Sequence, residues 1–308
     1  MADHRFVLDE QALCLNYIEP AFRETNLETL ADELFSLRKI PESVGLLSGW
    51  GGIECFDGLD LATVLTASDY VPRDLRVRLL SLLGKCTAWD QAKDIAIDNQ
   101  GKVNGLEIES FGIGWALEHV LAGQGMAVVT APHRGHRGAC EVTSDSGHAQ
   151  LCFVLSEEDH PGFYRTLYTL EDIAEFEFFN LAPFAFPNLV FVEGLSFRRF
   201  QGGYVRVRQQ VVDHLAVLND DFRHLFESEH GNSAGISARL GIDVSIEGST
   251  RSSEALMSYR DVGYSGRTYR CEWHSKLEPH QNRVHFYPGD ETTQGRVLIG
   301  IFVDHLPI

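Results

Sequence analysis

The chain is short of positive charge: 26 lysines and arginines stand against 44 aspartates and glutamates in 308 residues, a formal net charge of −18. Long-range repulsion opposes a general polyanion-binding role for such a surface, so any contact with nucleic acid has to be local. The six cysteines (Cys14, Cys55, Cys86, Cys140, Cys152 and Cys271) include no CxxC and no short paired spacing. That argues against a cysteine-type zinc site and a secreted disulfide framework, and suits a reducing compartment. No stretch approaches the roughly 18 unbroken apolar residues of a membrane span. Met1 to Leu8 carries Asp3, His4 and Arg5 where a signal peptide needs a basic patch and an apolar run. A cytoplasmic protein with no membrane association is the expectation. P-loop and nucleophile-elbow motifs are missing, and Phe111-Gly112-Ile113-Gly114 lacks the preceding strand, third glycine and distant acid of a dinucleotide site. It reads as close helix packing, and no cofactor is expected.

What is present is the composition of a folded protein. With 44% apolar and 10% aromatic residues, the chain can build one large domain or two ordinary ones. Leu27, Leu30, Leu34 and Leu37 recur at helical spacing within residues 24–40, with Asn26 placed to cap the helix and basic residues at its far end. Leu75, Leu79, Leu82 and Leu83 predict a second helix over 74–86, and Ser110 is placed to cap a third carrying Phe111, Trp115, Leu117, Val120 and Leu121. Short apolar or β-branched runs at 126–131, 139–143 and 150–155 predict strands. An amphipathic helix follows over 205–226, then a Gly/Ser-rich stretch at 228–253 with a short strand at 242–246. These elements predict an α+β protein, an acidic helix-rich region with short strands followed by a C-terminal antiparallel β meander. Three segments are expected: 1–105 mostly helical, 106–227 α+β, and 228–308 a Gly/Ser-rich connection with a C-terminal antiparallel β domain.

From Arg267 the side chains alternate. Arg270, Glu272, His274 and Lys276 fall on one side of an extended strand, and Tyr269, Cys271 and Trp273 on the other. After a loop at 278–282, the return strand places Arg283, His285 and Tyr287 on one face and Val284 and Phe286 on the other. Pro288-Gly289-Asp290 then turns the chain toward a third strand at 297–303. With the apolar sides packed inward, Glu272, His274, Lys276, Arg283 and His285 meet on one polar face. Those residue types suit metal-independent cleavage of a phosphodiester: histidines exchange protons near neutral pH, and Lys276 with Arg283 would clamp the charged phosphorane. RNA supplies its own nucleophile, the 2′-hydroxyl. His274 is the expected base, His285 the acid, and Glu272 the residue that orients an imidazole. The same pattern also describes the solvated side of a half-buried sheet, where cross-strand Glu–Arg pairs stabilise without further role. Residues 251–308 hold seven basic and seven acidic side chains, so the whole net charge of −18 lies within residues 1–250. The meander is therefore the surface best suited to meet an anion.

The runs Cys-Glu-Trp-His-Ser-Lys-Leu (271–277), Arg-Val-His-Phe-Tyr-Pro (283–288) and Val-Leu-Ile-Gly-Ile-Phe-Val-Asp-His-Leu-Pro (297–307) resemble the C-terminal part of uncharacterised bacterial proteins of mobile and defence islands. More loosely, they are similar to the sheet of RelE-type toxins, which cleave mRNA without metal. The resemblance covers about forty residues. Those toxins are small, strongly basic single domains, whereas this chain is large and acidic, so the carry-over is confined to residue type at His274, Lys276, Arg283 and His285. It implies an effector of toxin or antiviral-defence type that meets RNA at the C-terminal domain.

Two other readings compete. His133 and His136, in a His-Arg-Gly-His loop, could join carboxylates around a metal, but Arg134 and Arg137 disfavour a cation there, and solvent exposure is expected for both histidines. A metal-dependent nuclease is a further alternative, since a helix with Glu118 precedes strands containing Glu141, but residues 106–166 contain no lysine, so the two-carboxylate-and-lysine site would there be a degenerate one. The acidic upstream surface could instead dock a basic protein partner, with Glu157-Glu158-Asp159 and Asp220-Asp221 as charge clusters. The chain would then be a non-catalytic subunit or adaptor of a defence complex.

Overall fold

Eight strands from the first half of the chain hydrogen-bond into one mixed sheet. In spatial order they are Thr87–Trp89, Val44–Leu47, Phe6–Leu8, Ala127–Val129, Gly147–Val154, Gly138–Ser144, Gln100–Val103 and Leu106–Glu109. The first five run parallel, and the last three are joined antiparallel. The computed structural model describes residues 4–16, 18–67, 69–90, 99–279 and 281–307; Asp3 and part of the loop expected at 278–282 lie outside the described residues. Parallel strands need cover on both faces. Val7, Val128 and Phe153 accordingly pack in one core with Ile113, Trp115 and Leu117 of the helix Phe111–Leu121. Ser110 caps that helix as its sequence position predicts, accepting from the Ile113 amide at 3.2 Å. A Cβ on Gly112 would stand 2.2 Å from the Leu8 carbonyl oxygen, so close approach to the sheet is what requires glycine there.

The chain divides into two compact units, Met1–Glu171 and Asp172–Ile308. The boundaries expected at 105/106 and 227/228 are both displaced. The first would cut through the hairpin that joins Gln100–Val103 to Leu106–Glu109. Residues 1–105 hold more helix than strand, yet they also supply Phe6–Leu8, Val44–Leu47 and Thr87–Trp89 to the sheet. Strands this short, inside a parallel sheet, leave little alternation to read. The helices Arg23–Ser36 and Arg73–Leu83 stand where the leucine spacing puts them. Asn26 is not a cap: it lies within the helix, where its side chain links the Phe22 carbonyl and the His133 amide, each at 2.8 Å.

The second unit is built on a five-stranded sheet in the order Leu189–Phe191, Val297–Val303, Gln281–Tyr287, Trp273–Glu278, Val244–Ile246. The last four strands are antiparallel and include the expected meander, while Leu189–Phe191 joins Val297–Val303 in parallel. The protein is α+β. The helix Gly203–Val217 continues through a π turn, Leu218–Phe222, into Arg223–Ser228. Phe222 from that turn packs edge-on against Trp273 and Phe286, with ring centres 5.5 and 4.8 Å apart. The Gly/Ser-rich stretch is no linker, since it folds into the helix Ser233–Leu240, capped by Asn232, and the edge strand Val244–Ile246. The alternation that starts at Arg267 also breaks: Asp261–Tyr264 and Arg267–Arg270 form a separate hairpin, and Cys271 and Glu272 lie between strands. All six cysteines are free thiols. Among the described residues no helix is long and apolar enough to cross a membrane.

Candidate functional site

Period two governs the edge strand Val244–Ile246 and the residues flanking it, so Asp243, Ser245 and Glu247 share one face. Register pairs Ser245 with His274, His274 with His285, and Lys276 with Arg283. Two polar rungs result. In one, Lys276 Nζ donates to both carboxylate oxygens of Asp243 at 3.1 and 3.0 Å. In the other, Ser245 Oγ lies 3.1 Å from His274 Nε2, and the two imidazole centres are 5.1 Å apart. Four of the five residues expected on the face, His274, His285, Lys276 and Arg283, are therefore brought together. Glu272 is not among them; it lies off the strand and pairs with Arg251 at 3.1 Å. The acid at the imidazoles is Glu247, whose Oε1 is 3.5 Å from His274 Nδ1 and 4.0 Å from His285 Nδ1.

The imidazole end of this face is not solvated. His274 is 6% exposed and His285 0%. Residues 249–260 fold back through three short helical turns and bring Arg260, itself fully buried, to 2.8 Å from Glu247 Oε1. Arg260 is fixed there by the Leu256 carbonyl at 2.8 Å, and Thr250 donates to Glu247 Oε2 at 3.0 Å. Access from solvent lies toward Lys276 and Arg283, which are only half-buried. Arg283 has no hydrogen bond or ion pair among the described residues, and its Nε is buried without a partner.

Burial pulls the pKa of His274 down to about 4; Glu247 opposes the shift, while Arg283 and Lys276 add to it. Burial likewise holds His285 well below the ordinary histidine value, with His274 and Arg260 acting in the same direction. Burial would raise the Glu247 carboxyl, but Arg260 and Thr250 reverse this and keep it below the usual carboxylate value. Both rings are thus neutral at pH 7, the form that accepts a proton or a metal ion. The acid role expected of His285 does not suit a ring that resists protonation. Among the described residues, Glu247 Oε1, His274 Nδ1 and both ring nitrogens of His285 have no well-aligned hydrogen-bond partner, though the Cys271 backbone acts weakly on the His285 ring. Arg260 Nε is close enough to Oε1 for an ion pair but is not aligned as a hydrogen bond. Glu247, His274 and His285 form a group whose ligand atoms all lie within 4.8 Å of one another.

A second buried polar cluster sits in the first unit, where the strand Phe6–Leu8 ends. Glu10 accepts from the Phe111 amide at 2.7 Å, the Gly112 amide at 2.9 Å and the Ser110 hydroxyl at 3.2 Å, which anchors the start of the helix Phe111–Leu121. Asp9 accepts from Arg134 Nε at 2.9 Å and from the Gln11 amide at 3.1 Å. Burial, with the Asp9 charge, raises the Glu10 pKa to about 7. Arg134 is the arginine expected to repel a cation from His133 and His136. Neither histidine is solvent-exposed as expected: His136 is buried, its ring 5.3 Å from that of Phe153, and His133 is half-buried with both ring nitrogens shielded from solvent.

The chain matches no family model, no curated protein and no solved structure. Glu247 and Arg260 are the residues that sequence reasoning missed. One signal pointed to Glu247: the alternation Asp243-Val244-Ser245-Ile246-Glu247, three polar residues of period two on what was read as a short strand.

Proposed function

We propose that the C-terminal unit carries an RNA-directed effector site, which acts on a phosphodiester at the Lys276–Arg283 end of the sheet. Arg283 is the observation that supports this most directly. It is a guanidinium without an acidic partner in a chain rich in carboxylates, held in register beside Lys276 and two residues from His285. A charged group in such a setting favours an anion, and the planar fork of arginine matches a phosphate group. His274, neutral and hydrogen-bonded to Ser245, is the better fit to a base. The charge-neutral C-terminal segment agrees with an anionic substrate.

The test is incubation of the purified full-length protein with end-labelled RNA and with DNA of the same sequence. RNA should be cut and DNA left intact, and Arg283→Ala should slow cleavage about 10²-fold, the size expected when one donor to a developing oxyanion is removed. Intact RNA under every condition would sink the proposal. It would leave the second reading, favoured by the confinement of the net charge of −18 to residues 1–250: a binding subunit whose acidic region upstream of the meander meets a basic partner.

A further inference from the structure

The geometry points to a divalent transition-metal site formed by Glu247, His274 and His285. It departs from the metal-independent chemistry expected from the residue types, and its place in turnover rests on the RNA reading above, whereas ion binding itself does not. Three features carry it.

The first is that the donors are orphaned toward one another. Glu247 Oε1, His274 Nδ1 and the ring nitrogens of His285 are buried, and among the described residues none has a well-aligned hydrogen bond, although Arg260 Nε stands 2.8 Å from Oε1 and the Cys271 backbone interacts with the His285 ring. Buried polar atoms nearly always find partners, and groups that share one small volume without bonding to each other suggest a missing common partner. Neither neutral imidazole can satisfy the other and the carboxylate together, but one cation satisfies all three.

The second is spacing. The Glu247 oxygen stands 3.5 Å from His274 Nδ1 and 4.0 Å from His285 Nδ1. Ligands bound at about 2.1 Å lie roughly 3.0 to 3.4 Å apart in octahedral or tetrahedral geometry. All three donor atoms lie within 4.8 Å of one another, so closing them onto an ion takes side-chain movements of about 1 Å or less.

The third is the set of residues behind the donors. When the Ser245 hydroxyl accepts from His274 Nε2–H, the Nδ1 lone pair is left pointing at the cluster, the tautomer that a metal needs. Thr250 donates to Glu247 Oε2, so Oε1 is the oxygen that faces the imidazoles, where it also pairs with Arg260. Two imidazoles and one carboxylate, with no thiolate, suit Zn²⁺, Fe²⁺, Co²⁺ or Mn²⁺ rather than Ca²⁺ or Mg²⁺. Three protein ligands also leave a coordination position for water or a substrate oxygen. Arg260 works against the ion, because its charge lies 2.8 Å from the same Oε1. An anionic fourth ligand, hydroxide or phosphate oxygen, offsets that repulsion, which ties metal affinity to the presence of an anion.

The experiment uses full-length protein stripped with a chelator and titrated with Co²⁺, followed by visible absorption and calorimetry, with and without inorganic phosphate. One Co²⁺ per chain is expected, bound more tightly with phosphate. Glu247→Gln and His285→Gln should each weaken binding at least tenfold, while circular dichroism of the metal-free variants stays that of the parent. If His285→Gln does not fold, Ser245→Ala takes its place; it should weaken binding several-fold without touching a ligand atom. No saturable Co²⁺ binding, or binding that every variant leaves unchanged, would overturn the site. The two proposals fail separately. Co²⁺ bound at this site by a protein that leaves RNA intact removes the RNA reading alone, and cleavage in excess chelator by a protein that takes up no Co²⁺ removes the metal alone.

Discussion

Each unit buries a polar cluster at the end of a short strand, and the two clusters are finished differently. In the first unit every carboxylate oxygen of Asp9 and Glu10 has a donor, supplied by backbone amides, the Ser110 hydroxyl, Thr130 or Arg134. In the second, one carboxylate oxygen and three imidazole nitrogens have none. An unpaired buried polar atom costs about 1–3 kcal/mol, so the satisfied carboxylates of Asp9 and Glu10 are explained by the helix they anchor, while the unpaired carboxylate and imidazole atoms of the second cluster are not explained by folding. What separates the clusters is where the hydrogen bonding is unfinished: on the Arg134 Nη2 and the His133 ring beside satisfied carboxylates in the first unit, and on a carboxylate and imidazoles that share one small volume in the second.

The largest test of this contrast removes the countercharge in the second unit. Arg260→Met would leave Glu247 as an uncompensated buried carboxylate, and loss of one partner from a buried pair costs about 3–5 kcal/mol. Native-state hydrogen exchange reads the two units separately and should show the loss in Asp172–Ile308 alone. A change below about 1 kcal/mol would mean that Glu247 does not need Arg260, and the pair would no longer distinguish the clusters.

A second test uses pH, because the two clusters predict slopes of opposite sign. Glu10 is raised to about 7 in the folded state, so between pH 4.5 and 7 the folded protein binds more protons than the unfolded chain. This group therefore makes the first unit less stable as pH rises through that window. His274 is lowered to about 4, so between pH 4 and 6.5 the unfolded chain binds more protons. That group makes the second unit more stable as pH rises. Each contribution is at most ~3 kcal/mol over its window. Glu10→Gln should flatten the first slope, and His274→Gln combined with His285→Gln, since both rings are held low, should flatten the second, measured by urea unfolding from pH 4.5 to 7.5. Slopes that share one sign, or that survive these substitutions, would show that other groups control the response.

The contrast also explains what could be read without the structure. The His274–His285 and Lys276–Arg283 pairs were legible because two long strands alternate in phase and are joined by a short connection, so residue parity fixes the face. Parity does not say what lies over that face. The cover comes from residues 249–260, whose short turns have no periodic signal, and so the burial of the imidazoles and the role of Arg260 were hidden. Glu272 was misplaced because the break at 271–272 is set by the 261–270 hairpin, a tertiary feature. In the first unit the helices were read from leucine spacing, and the Ser110 cap from its position ahead of an apolar run. The parallel strands at 126–131 and 150–155 were read, but Phe6–Leu8, Val44–Leu47 and Thr87–Trp89 were missed, since three or four residues in a row look alike whether they are helix, strand or loop.

The smallest test makes the same change in both clusters. Ser110→Ala removes the acceptor of the Ile113 amide and one donor to Glu10, but Glu10 keeps the Phe111 and Gly112 amides. The expected loss is that of a helix N-cap, about 1 kcal/mol, confined to the first unit. Ser245→Ala removes the only hydrogen bond described for the His274 ring, at 3.1 Å, and adds a fifth unpaired atom to a cluster that already has four. Its stability effect without metal should be of the same order, about 1 kcal/mol, because one hydrogen bond is lost in each case. The difference should emerge when Co²⁺ is added. Ser110→Ala protein regains nothing, while a bound ion holds the His274 ring directly and restores most of what Ser245→Ala lost, since a ligand that binds only the folded state stabilises it. Equal behaviour of the two variants with Co²⁺ would place the clusters in one class, both structural.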